Sequence, residues 1–65
     1  MFHKYKKNRQ GIAYTQDNIA GMHKEKGDFT QALSYLEEAL KTFKEINDQR
    51  GIAGITNNIG DIYLK

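Results

Sequence analysis

Two histidines, eight carboxylates and one glycine-rich segment are the parts of this 65-residue chain that could do chemistry. His23 has Glu25 and Asp28 nearby in sequence, the makings of an imidazole base held by a carboxylate. The competing reading is an amphipathic ring at a core-facing helix position, and ordinary burial frequencies favour it. Glu37, Glu38 and Asp48 could supply carboxylates for acid–base catalysis. Such a pair needs a desolvated cleft to separate its two pKa values, and these positions fall on faces expected to be exposed. The run Gly51-Ile52-Ala53-Gly54 lacks the strand before it and the Lys-Ser/Thr after it that a phosphate loop requires. Without cysteine there is no disulfide or thiolate metal site, and His3 and His23 stand apart with no ligand cluster around them. No catalytic residue, metal site or cofactor is expected.

Binding is the remaining chemistry, and the charges limit its kind. The formal net charge is +2, but residues 1–9 hold Lys4, Lys6, Lys7 and Arg9 with no acid, which leaves −2 for the rest. A basic arm with Phe2 and Tyr5 interleaved could track a phosphate backbone and stack on bases, so a small helical nucleic-acid binder is one reading. The other is a solvated helix end whose cations suit the negative pole of the helix dipole. Further along, cations and acids are mixed rather than aligned on one face, so nucleic acid is the less favoured partner. Mean hydropathy is −0.76 and no apolar run approaches the length of a membrane span or signal-peptide core, so a cytoplasmic protein is expected.

Helices must position whatever these residues do. Asp28 and Gln31 have the spacing of a capping box, which starts a helix. From Phe29 onward Ala32, Leu33, Leu36, Ala39, Leu40 and Phe43 recur at three- and four-residue steps and form one apolar stripe, with Glu37 and Lys41 paired on the opposite face. Asn47 can take a left-handed C-terminal position and Asp48 can cap the next helix. Lys26-Gly27-Asp28 does the same one helix earlier. An internal repeat frames this segment: a shift of 40 residues lays 9–25 on 49–65, with Gly11, Ile12, Ala13, Asn18 and Ile19 meeting Gly51, Ile52, Ala53, Asn58 and Ile59. Two such segments should build the same helix in the same environment. The spacing therefore predicts an all-α chain of three antiparallel helices at about 9–25, 29–46 and 49–65, joined by short turns. Residues 1–8 form a basic N-terminal arm or the tail of a preceding helix. The core is expected from Ile12, Ile19, Met22, Phe29, Ala32, Leu33, Leu36, Ala39, Leu40, Phe43, Ile55 and Ile59. Of the five helical glycines, only Gly60, counterpart of Ala20, has an evident reason, the close approach of a facing helix.

The run Asn18-Ile19-Ala20, His23, Gly27-Asp28-Phe29, Ala32-Leu33, Leu36 and Ala39-Leu40 resembles one tetratricopeptide repeat (TPR), and Asn58 to Tyr63 resembles the opening of the next. The 40-residue period is similar to that of the longer-helix members of that family. His23 departs from the pattern, standing where a tyrosine is usual. The resemblance implies a fragment of an α-solenoid, about one and a half repeats cut from a longer array. It also implies a non-catalytic protein-protein interaction module whose concave face is lined by the first helix of each repeat. On that face would lie Tyr14, Asp17, Gly21 and Lys24, with Gly54, Asn57, Asp61 and Leu64 as their equivalents. An extended peptide has unpaired backbone donors and acceptors, so Asp17, Asn57 and Asp61 are the leading candidates for contact, with the repeat-matched Asn18 and Asn58 beside the groove or bonded to a neighbouring backbone.

Self-association is expected as well. Ile52, Ile55, Ile59 and Ile62 fall at i, i+3, i+7 and i+10 with Tyr63 beside them, and one neighbouring helix covers only part of such a seam. A homo-oligomer, through this seam or through a domain swap at one of the turns, would cover the rest.

Overall fold

The computed structural model describes the backbone of residues 4–64 and the side chains of residues 9–64. Three antiparallel helices follow one another, α1 (Lys4–Glu25), α2 (Phe29–Glu45) and α3 (Gln49–Tyr63), and there is no strand among the described residues. α1 begins five residues before the expected start, so the backbone of 4–8 continues it; the side chains there lie outside the described residues.

Both turns are built alike. At the end of α1, Gly27 takes φ +85, its N–H donates to the Lys24 carbonyl at 3.0 Å, and the Asp28 N–H donates to the His23 carbonyl at 2.9 Å. At the end of α2, Asn47 takes φ 62, its N–H donates to Lys44 at 3.2 Å, and Asp48 N–H donates to Phe43 at 2.9 Å. These are Schellman closures, and the residue after each left-handed one caps the next helix: Asp28 accepts from the Gln31 N–H and Asp48 from the Gly51 N–H. The capping box at Asp28 is therefore only half made. Its return bond needs the Asp28 N–H, which the end of α1 has already taken.

The apolar stripe of α2 behaves as its spacing requires: Ala32, Leu36, Ala39 and Phe43 are buried, while Phe29, Leu33 and Leu40 pack against them half-buried. α1 does not follow the expected core. Ile12 and Met22 are 56% and 61% exposed, Ile19 is half-buried, and the buried residues are Ala13 and Ala20. Spaced seven apart on one face, the two alanines let α2 approach closely, and the larger side chains turn elsewhere. On α3 the buried residues are Gly51, Ile55 and Ile62. Their equivalents on α1 are Gly11, Thr15 and Met22, on the side opposite Ala13 and Ala20. The two repeated segments thus build the same helix but offer α2 opposite faces, and α2 is held between them.

The glycines also sort differently from expectation. A Cβ at Gly60 would meet nothing within 4 Å, so no close approach explains it, whereas a Cβ at Gly51 would overlap the ring of Phe43. Nor does Lys41 pair with Glu37. The ion pairs among the described residues join one element to another, as in Arg9–Glu45 between α1 and α2 and Lys24–Asp61 between α1 and α3.

Candidate functional site

Along the line where α1 and α3 meet, four polar side chains alternate as acceptor and donor. The Asn58 amide donates to Asp17 Oδ1 at 2.7 Å, and its oxygen accepts from Lys24 Nζ at 3.1 Å. Lys24 Nζ also lies 2.9 Å from Asp61 Oδ2. Asp17 and Lys24 are seven apart on α1, and Asn58 and Asp61 three apart on α3, so helical periodicity places each pair on one face. Asn58 holds the ladder together because its amide donates to a carboxylate and accepts from an ammonium at once. The ammonium is well covered, its side chain 17% exposed, while Asp61 remains 46% exposed.

At the other end of this seam a second cluster forms on Asp48. Its carboxylate caps α3, accepting from Gly51 N–H at 3.1 Å, and accepts from Gln10 Nε2 at 2.8 Å and Tyr14 Oη at 3.2 Å. The Tyr14 ring stands edge-on to Phe43, centroids 4.8 Å apart at 67°. The Gln10 hydrogen bond, then that of the Gly51 N–H, holds the Asp48 carboxyl below its ordinary pKa. Desolvation, then the hydrogen bond to Asp48, pushes the Tyr14 phenol above its ordinary value. For Asp48 the depressed folded value means a contribution to stability that is present above the unfolded carboxylate pKa and lost as pH falls through the folded one. Asp48→Asn keeps a capping side chain without the charge. It should flatten the fall in thermal midpoint below about pH 4 relative to the native chain. Parallel midpoint curves for the two proteins would show that Asp48 does not act this way.

Of the expected groove residues, Tyr14, Asp17, Lys24 and Asp61 thus come together on the α1–α3 seam. Asn57 sits at its edge, exposed, beside Thr56, Gly60 and Leu64 around a shallow depression. Gly21 is half-buried with open space where a Cβ would be, and a Cβ at Gly54 would come within 3.9 Å of Asp17 Oδ2. Gln10 and Asp48 are the seam residues that the sequence reading did not place there, whereas Asn58, expected beside the groove, lies within it. Asn58 had a signal, since it repeats Asn18 and an asparagine inside a helix competes with the helix backbone unless its amide is engaged. Gln10 and Asp48 carried none beyond the cap itself.

Within the expected self-association seam, Ile55 and Ile62 are covered by the chain itself, Ile52 and Ile59 are half-buried, and Tyr63 is 73% exposed, followed by Leu64 at 87%. His23 lies half-buried, its ring stacked on Tyr35 at 5.7 Å and 9° with Nδ1 3.6 Å from Asp28 Oδ2. Glu37 and Glu38 are exposed, the latter accepting from Gln16 at 3.1 Å. Among the described residues no three His, Cys, Asp or Glu side chains converge as metal ligands, and no helix is long and apolar enough to cross a membrane. No family model, curated protein or solved structure matches the chain.

Proposed function

We propose that this chain is a non-catalytic protein-interaction module of the tetratricopeptide kind, holding an extended segment of a partner protein along the seam between α1 and α3. The observation that carries the reading is the placement of Tyr14, Asp17, Lys24, Asn57 and Asp61 along or beside one seam between the two repeated helices. A carboxylate offers about four lone-pair sites and an amide both donors and acceptors, so the ladder can brace the helices and still meet the N–H and C=O groups of an extended backbone. Asn57 and Tyr14 are exposed, whereas Asp17, Lys24 and Asp61 are half-buried.

Carboxylates without a desolvating cleft and an imidazole packed on Tyr35 favour binding over catalysis. Arg9, committed to Glu45, favours a protein partner over nucleic acid. A cytoplasmic setting and self-association through the exposed Tyr63 and Leu64 belong to the same reading, with sedimentation equilibrium as the check on the latter. Because Ile62 is buried, Tyr63→Lys tests that contact without opening the core.

The experiment is titration of a display-selected peptide against three proteins. Asn57→Ala, which breaks no bond of the ladder, is expected to weaken binding about three- to tenfold while leaving the thermal midpoint in place. Asp17→Ala is expected to weaken it as much and also to cost about 0.5–1.5 kcal/mol of stability, because Asn58 loses its acceptor. Undiminished affinity in both variants would remove the seam as the binding surface.

A further inference from the structure

We propose that the face of α1 carrying Gly11, Ile12, Ile19 and Met22 is a second docking surface, one that takes an amphipathic helix with the apolar pattern of α2 and seats an aromatic side chain over Gly11. The inference goes beyond the peptide seam, which lies on the flank of α1 that carries Asp17 and Lys24.

The internal repeat identifies the occupant. Gly11, Ile12, Thr15, Ile19 and Met22 of α1 are the 40-residue equivalents of Gly51, Ile52, Ile55, Ile59 and Ile62 of α3. On α3 that face is occupied: Gly51, Ile55 and Ile62 are buried, Ile52 and Ile59 half-buried, and the Phe43 ring of α2 fills the space where a Cβ of Gly51 would stand. On α1, among the described residues, the same face is more open, with Ile12 56% and Met22 61% exposed, Ile19 half-buried and nothing within 4 Å of a Cβ built on Gly11. The α2–α3 interface is thus prepared a second time at Gly11, Ile12, Ile19 and Met22, with Thr15 in the place of Ile55, and among the described residues nothing is seated over Gly11. From Gln10 to Met22 the only charged residue of α1 is Asp17, which is engaged with Asn58 on another flank, so a helix docked on this stretch buries no ion of α1, and Glu38, Lys41 and Glu45 of α2 border it only beside Ile12. Two exposed large apolar side chains beside a glycine gap suit a helix-in-groove ligand with one aromatic anchor.

The probe is a synthetic, fluorescein-labelled peptide of residues 28–46, the α2 segment with its own N-cap, titrated into the intact chain and followed by anisotropy. Saturable binding is expected, with Kd on the order of 10–100 µM. Gly11→Ala and Met22→Lys are each expected to weaken it by about tenfold, and Asn57→Ala to leave it unchanged. Gly11→Ala favours the helix in the free chain, so lost binding there cannot be lost folding. The proposal is overturned by absence of saturable binding, or by equal binding to the Gly11→Ala and Met22→Lys variants, which would mean exchange with the chain's own α2. It is also overturned by a dimer mass without peptide that Met22→Lys abolishes, which would make a second copy the occupant. None of these results touches the peptide seam, whose test uses Asn57 and Asp17.

Discussion

Gly51→Ala is expected to destabilise the fold, while the same change at its repeat equivalent, Gly11, stabilises it. By intrinsic helix propensity both should gain, since glycine in a helix interior costs roughly 0.5–1 kcal/mol relative to alanine. At Gly51 the added methyl overlaps the Phe43 ring, which is fully buried and packed edge-on by Tyr14, so the ring must shift against packed neighbours to admit it. Overpacking of this sort costs about 1–3 kcal/mol and outweighs the propensity gain. At Gly11 there is nothing to overlap, and a gain of roughly 0.5–1 kcal/mol is expected. Urea unfolding of the two variants reads the difference in sign directly. A Gly51→Ala protein as stable as the native chain would show that α3 does not lie on Phe43 in this way.

Phe43→Ala should have the largest effect of any single truncation. The ring is completely buried, it fills the gap over Gly51, and it carries the contact with Tyr14 that brings α1 to the same point. Removal of a buried phenylalanine costs about 3–5 kcal/mol, close to the whole stability that a core of this size supplies, also about 3–5 kcal/mol. Far-UV circular dichroism at 25 °C is expected to show loss of most of the helix signal and of a cooperative melt. Phe43→Leu should retain a fold, and in that background the penalty for Gly51→Ala should shrink because the overlapping ring is gone. A cooperative transition near the native midpoint for Phe43→Ala would mean that the three helices are held together elsewhere.

How far the sequence reveals this arrangement differs between the helices, for physical reasons. α2 is legible nearly throughout, because it is covered on both sides and its apolar period of three and four has one interpretation. Both turns are legible too: Gly27 and Asn47 are residues that tolerate positive φ, and an aspartate follows each. α1 is less legible, since side-chain size points to Ile12, Ile19 and Met22 as its core and the packing selects small residues instead. Ala13 and Ala20 are buried because α2 comes close, a property of the pair of helices that neither helix carries alone. The same applies to Gly51, whose reason is a ring eight residues away in sequence and on another helix. Of the candidate surface, Tyr14, Asp17, Lys24 and Asp61 follow from the tetratricopeptide resemblance, which implies the face, and from helical spacing, which orders residues on it. Asn58 and Asp48 make bonds across helices, and periodicity within one helix says nothing of those.

The claim that α1 and α3 together form the binding surface is tested most directly by mapping a bound peptide on the ¹⁵N-labelled chain. A display-selected peptide should shift the amide signals of Tyr14, Asp17, Asn57, Asn58 and Asp61, leave those of Glu38 and Thr42 in place, and bind with little dependence on salt. Shifts confined to the outer face of α2 around Glu38 and Thr42 would contradict the account. So would a ligand preference for DNA whose affinity falls steeply as salt is raised.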